Sequence, residues 1–470
     1  MSVALILLIL AIVFGVYVAW NIGANDVANA VGTSVGSGAL TLKQAVLIAA
    51  IFEFCGAFFL GSNVSATLES GIVNPQLFSG NMNDYIFGML ASLLAAGVWL
   101  QIASYFGWPV STTHSIVGAV LGFGFVLGGF EAIFWGEIGS IAMSWVASPF
   151  LGGALSYLIF MIIRTKILYD VNPISAAKKV TPYLVFAIFA VLTLIILFNG
   201  LSNLDLHLSF FEVLLLAAAI GGISAYISHC LVRRIKAPTL PVRMHSSQVE
   251  ISLKKAQKHL LRVEAAASGK LLNRVHELLA DVDTLTKEVE VPEEKQYSEF
   301  EIVEKIFIYL QIIVACFMAF AHGSNDVANA IGPLAAVVNI LYGKAAFLQG
   351  KNISFWLLLL GGIGIVAGLA TWGWRVIETV GKKITELTPS RGFSAGFGAA
   401  TTIVLASKLG LPISTTHVLV GAVLGVGFAR GIGAINLNTI RDIVISWVVT
   451  VPAGAILSVL FFCALRAIFA

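Results

Sequence analysis

Two aspartates lie in matching polar motifs inside apolar sequence. Asp26 belongs to GANDVANAVG, residues 23–32, and Asp326 belongs to GSNDVANAIG, residues 323–332. Residues 1–20, which precede the first motif, include no charged side chain. A bare carboxylate inside a bilayer is costly, and such groups usually face a cavity and mark the path of an ion or a substrate. The pattern therefore predicts that both aspartates bind a small cation.

Each aspartate has further oxygen ligands beside it. Asn25 and Asn29 are four residues apart, which places both amides on one helical face. Glycines at both ends of the motif favour a helix that is interrupted at membrane depth, with freed carbonyl groups. Carboxylate, amide and carbonyl oxygens suit a hard cation such as sodium, or a proton. As the alternative, each aspartate is an N-cap, and capping can coexist with ion binding.

A second motif follows in each half of the chain. GWPVSTTHSIVGAVLGFG, residues 107–124, recurs as GLPISTTHVLVGAVLGVG, residues 410–427. Proline followed by Ser-Thr-Thr predicts a helix N-terminus with proline near its first turn, and such an end is a ready anion site. The alternative is that the hydroxyls bond only to backbone one turn back. The candidate anion ligands are Ser111, Thr112, Thr113, Ser414, Thr415 and Thr416.

Neither motif contains arginine or lysine, the side chains that usually hold an oxyanion. Positive charge at this site must then come from helix ends and from bound cations. Anion binding that depends on a cation is what a symporter needs. Each unit charge that crosses the membrane is worth about 2.3 kcal/mol per 100 mV, so co-bound cations can drive uphill uptake.

Three further side chains have two interpretations each. His114 and His417 follow the hydroxyls, and each is either a satisfied hydrogen bonder or a direct substrate contact. Glu53, in IFEFCG, has no obvious counterpart in the second half of the sequence. It is either a second coupling site or a buried carboxyl group held by its neighbours. The candidate cation ligands are therefore Asp26, Asp326, Asn29, Asn329 and Glu53.

Composition places these motifs in a membrane. Of the 470 residues, 58% are hydrophobic and 11% are charged, whereas soluble domains carry about 25% charged residues. Apolar runs of about 20 residues recur, the length of a membrane-spanning helix. The net charge of +3 gives no reason to expect a nucleic-acid partner, and the four cysteines are spaced singly, without a disulfide or zinc pattern. The sequence predicts a polytopic helical membrane protein.

The repeated motifs divide the chain into two related halves, since they recur at offsets of 300 and 303 residues. We predict a first membrane repeat at 1–165, a linking transmembrane hairpin at 166–232, a helical insert at 233–304 and a second repeat at 305–470. Basic residues at the start of the insert place it in the cytoplasm. It is either a solvated helical pair or a regulatory or oligomer contact.

The insert should form two amphipathic helices with Gly269 between them. Apolar residues at helical spacing define the two predicted inner faces. These are Leu253, Ala256, Leu260 and Val263 in the first helix, and Leu272, Val275, Leu279 and Val282 in the second.

The paired GANDVANA and GSNDVANA motifs, each followed by a P-x-STTH segment, resemble the signature of the inorganic phosphate transporter family of sodium- or proton-coupled symporters. The resemblance covers nearly the whole chain outside 233–304. It implies an all-α fold of about twelve transmembrane or re-entrant helices in two inverted repeats. By motif match, it also implies that Asp26 and Asp326 bind cations beside phosphate, while Asn25, Asn325 and the Ser-Thr-Thr segments line the phosphate pocket.

The resemblance implies a secondary symporter in a plasma or bacterial inner membrane that imports inorganic phosphate with sodium or protons. No resident cofactor and no enzymatic activity are expected, and a homo-oligomer is one option for its assembly. A sulfate or metal-phosphate permease of the same family is the alternative. An intramembrane metallohydrolase is a third reading, because two aspartates and two histidines can hold a metal, although HExxH-type spacing is absent.

Overall fold

The structure, a computed structural model, describes residues 2–78, 82–199, 208–235, 245–265, 267–288, 299–342, 355–374, 387–431 and 437–469. In chain order its α-helices are α1 (Val3–Gly36), α2 (Leu42–Leu60), α3 (Ser62–Ser70), α4 (Met82–Phe106), α5 (Thr112–Gly128), α6 (Trp135–Ile163), α7 (Pro173–Asn199), α8 (Phe210–Arg233), α9 (His245–Glu264), α10 (Lys270–Glu288), α11 (Glu299–Tyr342), α12 (Phe355–Trp372), α13 (Pro389–Lys408), α14 (Thr415–Arg430) and α15 (Leu437–Phe469).

In the described ranges, the membrane unit consists of α-helices with a few short 3-10 and π-helical segments. Nine helices of the described ranges are long and apolar enough to cross a bilayer, and the short apolar helices α5 and α14 accompany them. With the buried helix α13, they make up the predicted set of about twelve. The prediction of an all-α, multi-pass membrane protein is confirmed. That the two repeats are inverted stays a prediction.

The predicted interruption of the helix at the aspartate motifs is wrong. Helix α1 runs without a break through Asp26, and α11 does the same through Asp326. The motif glycines serve close helix packing instead. A Cβ atom on Gly23 would lie 1.9 Å from the carbonyl oxygen of Ile365, and one on Gly323 would lie 2.1 Å from that of Glu53. Only glycine lets α1 approach α12, and α11 approach α2, this closely.

The predicted helix starts at the Ser-Thr-Thr segments are confirmed. Helix α5 begins after the N-cap Ser111, whose hydroxyl accepts from the His114 amide, and α14 begins after Ser414 in the same way. The prolines lie two residues ahead of these caps, outside the first turn. Glycines further along both helices allow close packing: a Cβ atom on Gly118 would lie 2.5 Å from a backbone oxygen of α15, and one on Gly421 would lie 2.2 Å from a backbone oxygen of α6.

Residues Arg233–Glu299 form a second compact unit. Its two helices, α9 and α10, are the amphipathic pair that the sequence predicts, and Gly269 between them has φ of +63°. The predicted inner face of α9 is partly wrong, because Ala256 and Val263 are exposed. Among the α9 residues whose burial is described, Leu253, Gln257, Leu260 and Glu264 are half-buried instead. Glu264 is among them because it pairs with His276 of α10 at 2.6 Å.

Candidate functional site

The two aspartates meet in the interior of the membrane unit. Asp26, near the middle of α1, is 1% exposed, and Asp326, near the middle of α11, is fully buried. One oxygen from each carboxylate and one ring nitrogen of His322 all lie within 4.8 Å of one another. Carboxylates this close repel each other unless positive charge lies beside them.

The asparagines of each motif hold hydroxyls that belong to the other half of the chain. The side-chain amide of Asn29 donates to Thr416 Oγ1 at 2.8 Å. In the reciprocal contacts, the side-chain amide of Asn329 donates to Thr112 Oγ1 at 3.0 Å and to Thr113 Oγ1 at 3.1 Å. The site is therefore built across the repeat, and neither half completes it alone.

The same threonines join the two half-helix N-termini to each other. Thr113 Oγ1 donates to the Ile413 carbonyl at 2.8 Å, and Thr416 Oγ1 donates to the Val110 carbonyl at 3.2 Å. Each hydroxyl thus binds the loop just ahead of the opposite half-helix. The two positively polarised helix ends are held side by side.

Two threonines at the start of α14 also connect it to the carboxylates. Thr415 Oγ1 donates to Asp326 Oδ2 at 2.8 Å, and the Thr416 hydroxyl shares its one proton between the Val110 carbonyl and Asp26 Oδ1, the latter at 3.3 Å. Asn29 adds a donor to Asp26 Oδ1 at 3.0 Å. Candidate cation ligands and candidate anion ligands therefore form one hydrogen-bonded cluster, as a coupled site requires.

Asn25 and Asn325 occupy equivalent positions. The Asn25 side-chain amide donates to Ser104 Oγ at 3.0 Å and to the Trp108 carbonyl at 3.2 Å, which ties α1 to the loop before α5. The second half repeats both contacts, at 3.1 and 3.2 Å, with Asn325, Ser407 and Leu411. Both asparagines therefore use their NH₂ groups to position the half-helices and leave only their oxygens for a ligand.

Several buried oxygens in this cluster have no hydrogen-bond donor among the described residues. They are Asn25 Oδ1, Asp26 Oδ2, Asn325 Oδ1, Asp326 Oδ1 and Asn329 Oδ1. A buried polar atom without a partner costs about 1–3 kcal/mol. Carboxylate and amide oxygens that lack a hydrogen bond can act as ligand atoms, and such oxygen ligands fit a hard cation such as sodium.

A buried histidine from the second half of the chain and a buried glutamate from the first lie together on the Asp326 side of the site. His322 Nε2 lies 2.9 Å from Asp326 Oδ2, and His322 Nδ1 lies 3.2 Å from Glu53 Oε1, with all three side chains fully buried. Glu53 is thus placed at the site, through His322. It extends the cluster from α11 to α2.

Two isoleucines, one from each half of the chain, take the corresponding places near Asp26. His322 aligns with Ile22 at the motif offset of 300 residues. Glu53 and Ile365 correspond because their carbonyl oxygens face the matching glycines, Gly323 and Gly23. An apolar Ile–Ile pair on one side of the cluster is therefore a His–Glu pair on the other.

His114 and His417 lie together behind the Ser-Thr-Thr segments. Their ring centroids are 4.4 Å apart in an edge-on arrangement. The ring of His114 lies 3.9 Å from that of Trp145, and the ring of His417 stacks at 3.5 Å on that of Trp447. Both histidines therefore belong to a buried aromatic group, and direct contact with the substrate stays a prediction.

Sequence reasoning missed several residues of this site, and the repeat held a signal for each. His322 stands where the two aspartate motifs diverge, at a position that is isoleucine in the first copy. Trp145 and Trp447 lie in the recurring segments SWVASP and SWVVTVP, which the repeat identifies without giving them a role. Ser104 and Ser407 share the offset of the Ser-Thr-Thr segments.

Comparison with known proteins identifies the family. The model of the phosphate transporter family matches residues 22–458. The chain belongs to this family. It is 50% identical to a putative phosphate permease of Chlamydia trachomatis over 464 residues, which are 99% of each chain. It is 47% identical to the chloroplastic inorganic phosphate transporter 2-1 of Arabidopsis thaliana, covering 96% of this chain and 70% of that protein.

A solved structure with the same fold supports this assignment. It is described as the sodium-dependent phosphate transporter, and it aligns with a TM-score of 0.79 and 36% sequence identity over 98% of this chain and 99% of that one. Since the family and these relatives are transporters, the metallohydrolase reading is wrong. The chain is a multi-pass membrane transporter.

Proposed function

We propose that this protein is a secondary symporter that imports inorganic phosphate together with sodium. The observation that carries the proposal is the cross-paired cluster, in which both buried carboxylates accept hydrogen bonds from hydroxyls at the start of α14, and the start of α5 is bonded to the loop just ahead of α14. Sodium and phosphate would then bind as neighbours. Each would supply the charge that the other lacks.

The cations bind at the carboxylates. Asp26 and Asp326 provide the negative charge, and the unpaired amide oxygens around them complete an oxygen coordination shell. Asn29 and Asn329 act beside them, chiefly by orienting the threonine hydroxyls of the other half. Glu53 acts through His322, whose Nδ1 lies 3.2 Å from Glu53 Oε1.

Phosphate binds at the ends of α5 and α14. Free backbone N–H groups and the helix dipoles favour an anion there, and the threonine hydroxyls become further donors when they release the backbone and carboxylate oxygens that they now bond. Among them, Ser111 and Ser414 are already N-caps, so they act by shaping the helix ends. Asn25 and Asn325 hold the loops that lead into both ends.

Coupling follows from charge. With both aspartates ionised and no cation bound, an approaching phosphate meets negative charge at the centre of the protein. Bound sodium reverses this repulsion, so phosphate binds well only to the sodium-loaded site. Sodium is favoured over protons by the hard oxygen donor set and by the description of the solved relative as sodium-dependent.

The test is uptake of radiolabelled phosphate into proteoliposomes that contain the purified protein. Inward sodium and proton gradients are imposed separately, each with an excess of unlabelled sulfate in a parallel sample. The proposal predicts concentrative uptake with the sodium gradient and no competition by sulfate. Equal uptake without any inward cation gradient would refute symport, and strong competition by sulfate would support the alternative permease.

A further inference from the structure

The loops that lead into the two half-helices are held unequally. We call residues 107–110 the α5 loop and residues 410–413 the α14 loop, and the two correspond at the motif offset of 303 residues. Every carbonyl of the α14 loop accepts a hydrogen bond from a side chain of another element. The bonds are Thr67 to Gly410 at 2.8 Å, Asn325 to Leu411 at 3.2 Å, Trp145 to Pro412 at 3.0 Å and Thr113 to Ile413 at 2.8 Å.

The α5 loop has two bonds of this kind among the described residues. Asn25 donates to the Trp108 carbonyl and Thr416 donates to the Val110 carbonyl, both at 3.2 Å. These two bonds have counterparts in the α14 loop, whereas the bonds to its first and third carbonyls are not repeated. Pro109, the third residue of the α5 loop, is half-buried, and the matching proline of the α14 loop is buried.

A donor for the Pro109 carbonyl nevertheless recurs in the sequence. Trp447, in SWVVTVP, corresponds to Trp145, in SWVASP, at an offset of 302 residues. The indole N–H of Trp145 binds the Pro412 carbonyl, but that of Trp447 is buried and has no acceptor among the described residues. A buried donor without an acceptor is destabilising. Trp447 is therefore a donor that this conformation leaves unused.

The two tryptophans are connected through the buried histidines. The ring of Trp145 is tilted by 42° against that of His114, whereas the ring of Trp447 stacks on that of His417 at 28°. The two histidine rings are in edge-on contact with each other. Four packed rings thus link both halves of the chain, and the same Trp–His pair has two different geometries in one molecule.

We propose that Trp145 and Trp447 are positioning residues that hold the two loops in turn during transport. Trp145 holds the α14 loop in the conformation described above. In a second conformation the Trp447 indole donates to the Pro109 carbonyl, and the Trp145 bond opens. One bond forms as its counterpart breaks, so both conformations can be populated. The inference rests on the proposed function only because it requires two conformations with different access to the site.

The experiment measures how often the α14 loop is released, with the purified full-length protein in proteoliposomes without phosphate. The four native cysteines, which are free, are replaced by serine, and one reporter cysteine is placed at Ile413, which is 1% exposed. A buried thiol reacts with N-ethylmaleimide only while its segment is open. The labelling rate therefore follows the population of the open conformation.

Phenylalanine at either tryptophan keeps an aromatic ring beside the histidine and removes the N–H donor. Trp145→Phe removes the bond of the present conformation, so the labelling rate should rise about fivefold. Trp447→Phe removes the bond of the second conformation, so the rate should fall about fivefold. The double variant should return to about the rate of the protein with both tryptophans. Trp135→Phe is the matched control, because it removes an indole bond to the Phe130 carbonyl away from the site and should leave the rate unchanged.

The opposite signs distinguish alternate holding from simple packing. If the two tryptophans only fill space, each substitution loosens the loop and both labelling rates rise. A rise with both variants, or an unchanged rate with Trp447→Phe, would overturn the proposal. Thermal unfolding in detergent shows that each variant is folded.

A second measurement needs no substitution at either tryptophan. In protein that contains 5-fluorotryptophan, ¹⁹F spectra report the bonded and free fractions of each indole. The fraction of free Trp145 should equal the fraction of bonded Trp447, with and without sodium. Unequal fractions would mean that the two bonds are not exchanged.

Uptake of radiolabelled phosphate by the transporter without the reporter cysteine separates this inference from the proposed function. The predicted labelling pattern without any sodium-driven uptake would count against the proposed function and leave the exchange of bonds intact. Normal uptake with labelling changes of the same sign in both variants would do the reverse.

Discussion

The two halves of the membrane unit share their hydrogen-bond framework but differ in the charges placed on it. Asn25 and Asn325 make the same two contacts at nearly the same distances. Beside them, Ile22 in one half corresponds to His322 in the other. The duplicated framework thus positions the loops before α5 and α14 alike, and substitutions next to it make the surroundings of the two carboxylates unequal.

This difference separates the roles of the two aspartates. Asp26 accepts its hydrogen bonds from the neutral donors Asn29 and Thr416. Asp326 also faces His322, which in turn faces Glu53. We therefore expect the Asp26 side to depend entirely on an incoming cation, whereas the Asp326 side is held in position by a buried polar chain.

The largest effect on phosphate uptake should come from removing either carboxylate. Asp26→Asn and Asp326→Asn should each lower sodium-driven phosphate uptake about a hundredfold, the equivalent of about 3 kcal/mol of lost cation binding. Proteoliposome flux measures this, and Glu137→Gln, at the exposed start of α6, is the control. Native-like uptake by either aspartate variant at equal protein levels would remove its assigned role.

The next effect tests the asymmetry through stability. His322→Ile leaves Glu53 and Asp326 buried without their shared partner, so it should destabilise the protein by about 3–5 kcal/mol. The double variant His322→Ile with Glu53→Ile copies the apolar pair Ile22 and Ile365 on the Asp26 side and should recover much of this loss. Thermal unfolding in detergent measures both variants. Additive destabilisation would show that the two side chains act independently.

A smaller effect, on the apparent phosphate affinity, should be equal in the two halves of the chain. Asn25→Ala and Asn325→Ala each remove two hydrogen bonds that position a half-helix, and each should weaken the apparent phosphate affinity about tenfold. The phosphate dependence of uptake at saturating sodium gives this value. A tenfold effect in one half with none in the other would mean that the matching contacts do not have matching functions.

The smallest effect concerns the helix caps. Ser111→Ala and Ser414→Ala each remove one N-cap, which is worth about 1 kcal/mol. Apparent phosphate affinity should fall about fivefold, with little change in the apparent sodium affinity, because the caps lie at the helix ends. A larger loss of sodium affinity than of phosphate affinity would count against placing phosphate at these ends.

Much of this architecture follows from sequence patterns that have a local cause. Hydrophobic run length predicts the membrane helices, and Ser-Thr-Thr after proline predicts the starts of α5 and α14 at Ser111 and Ser414. The repeat predicts which residues should share a site. Each of these patterns depends on residues that are close in sequence or on a constant spacing between the two repeats.

What could not be predicted depends on contacts between distant segments. In the sequence, Gly23 and Gly323 suggest a broken helix. In the structure they allow α12 to approach α1, and α2 to approach α11. Glu53 has no motif around it, and its connection to Asp326 through His322 exists only once α2 packs on α11. The exchange of threonines between halves likewise arises from the tertiary fold.

The most direct test of the central claim is phosphate binding to the purified transporter at equilibrium, with and without sodium. Isothermal titration calorimetry in sodium buffer and in choline buffer at the same pH and ionic strength compares the two states. The account predicts clear phosphate binding in sodium and at least tenfold weaker binding in choline, about 1.4 kcal/mol or more of coupling. Equal phosphate affinity in both buffers would contradict it.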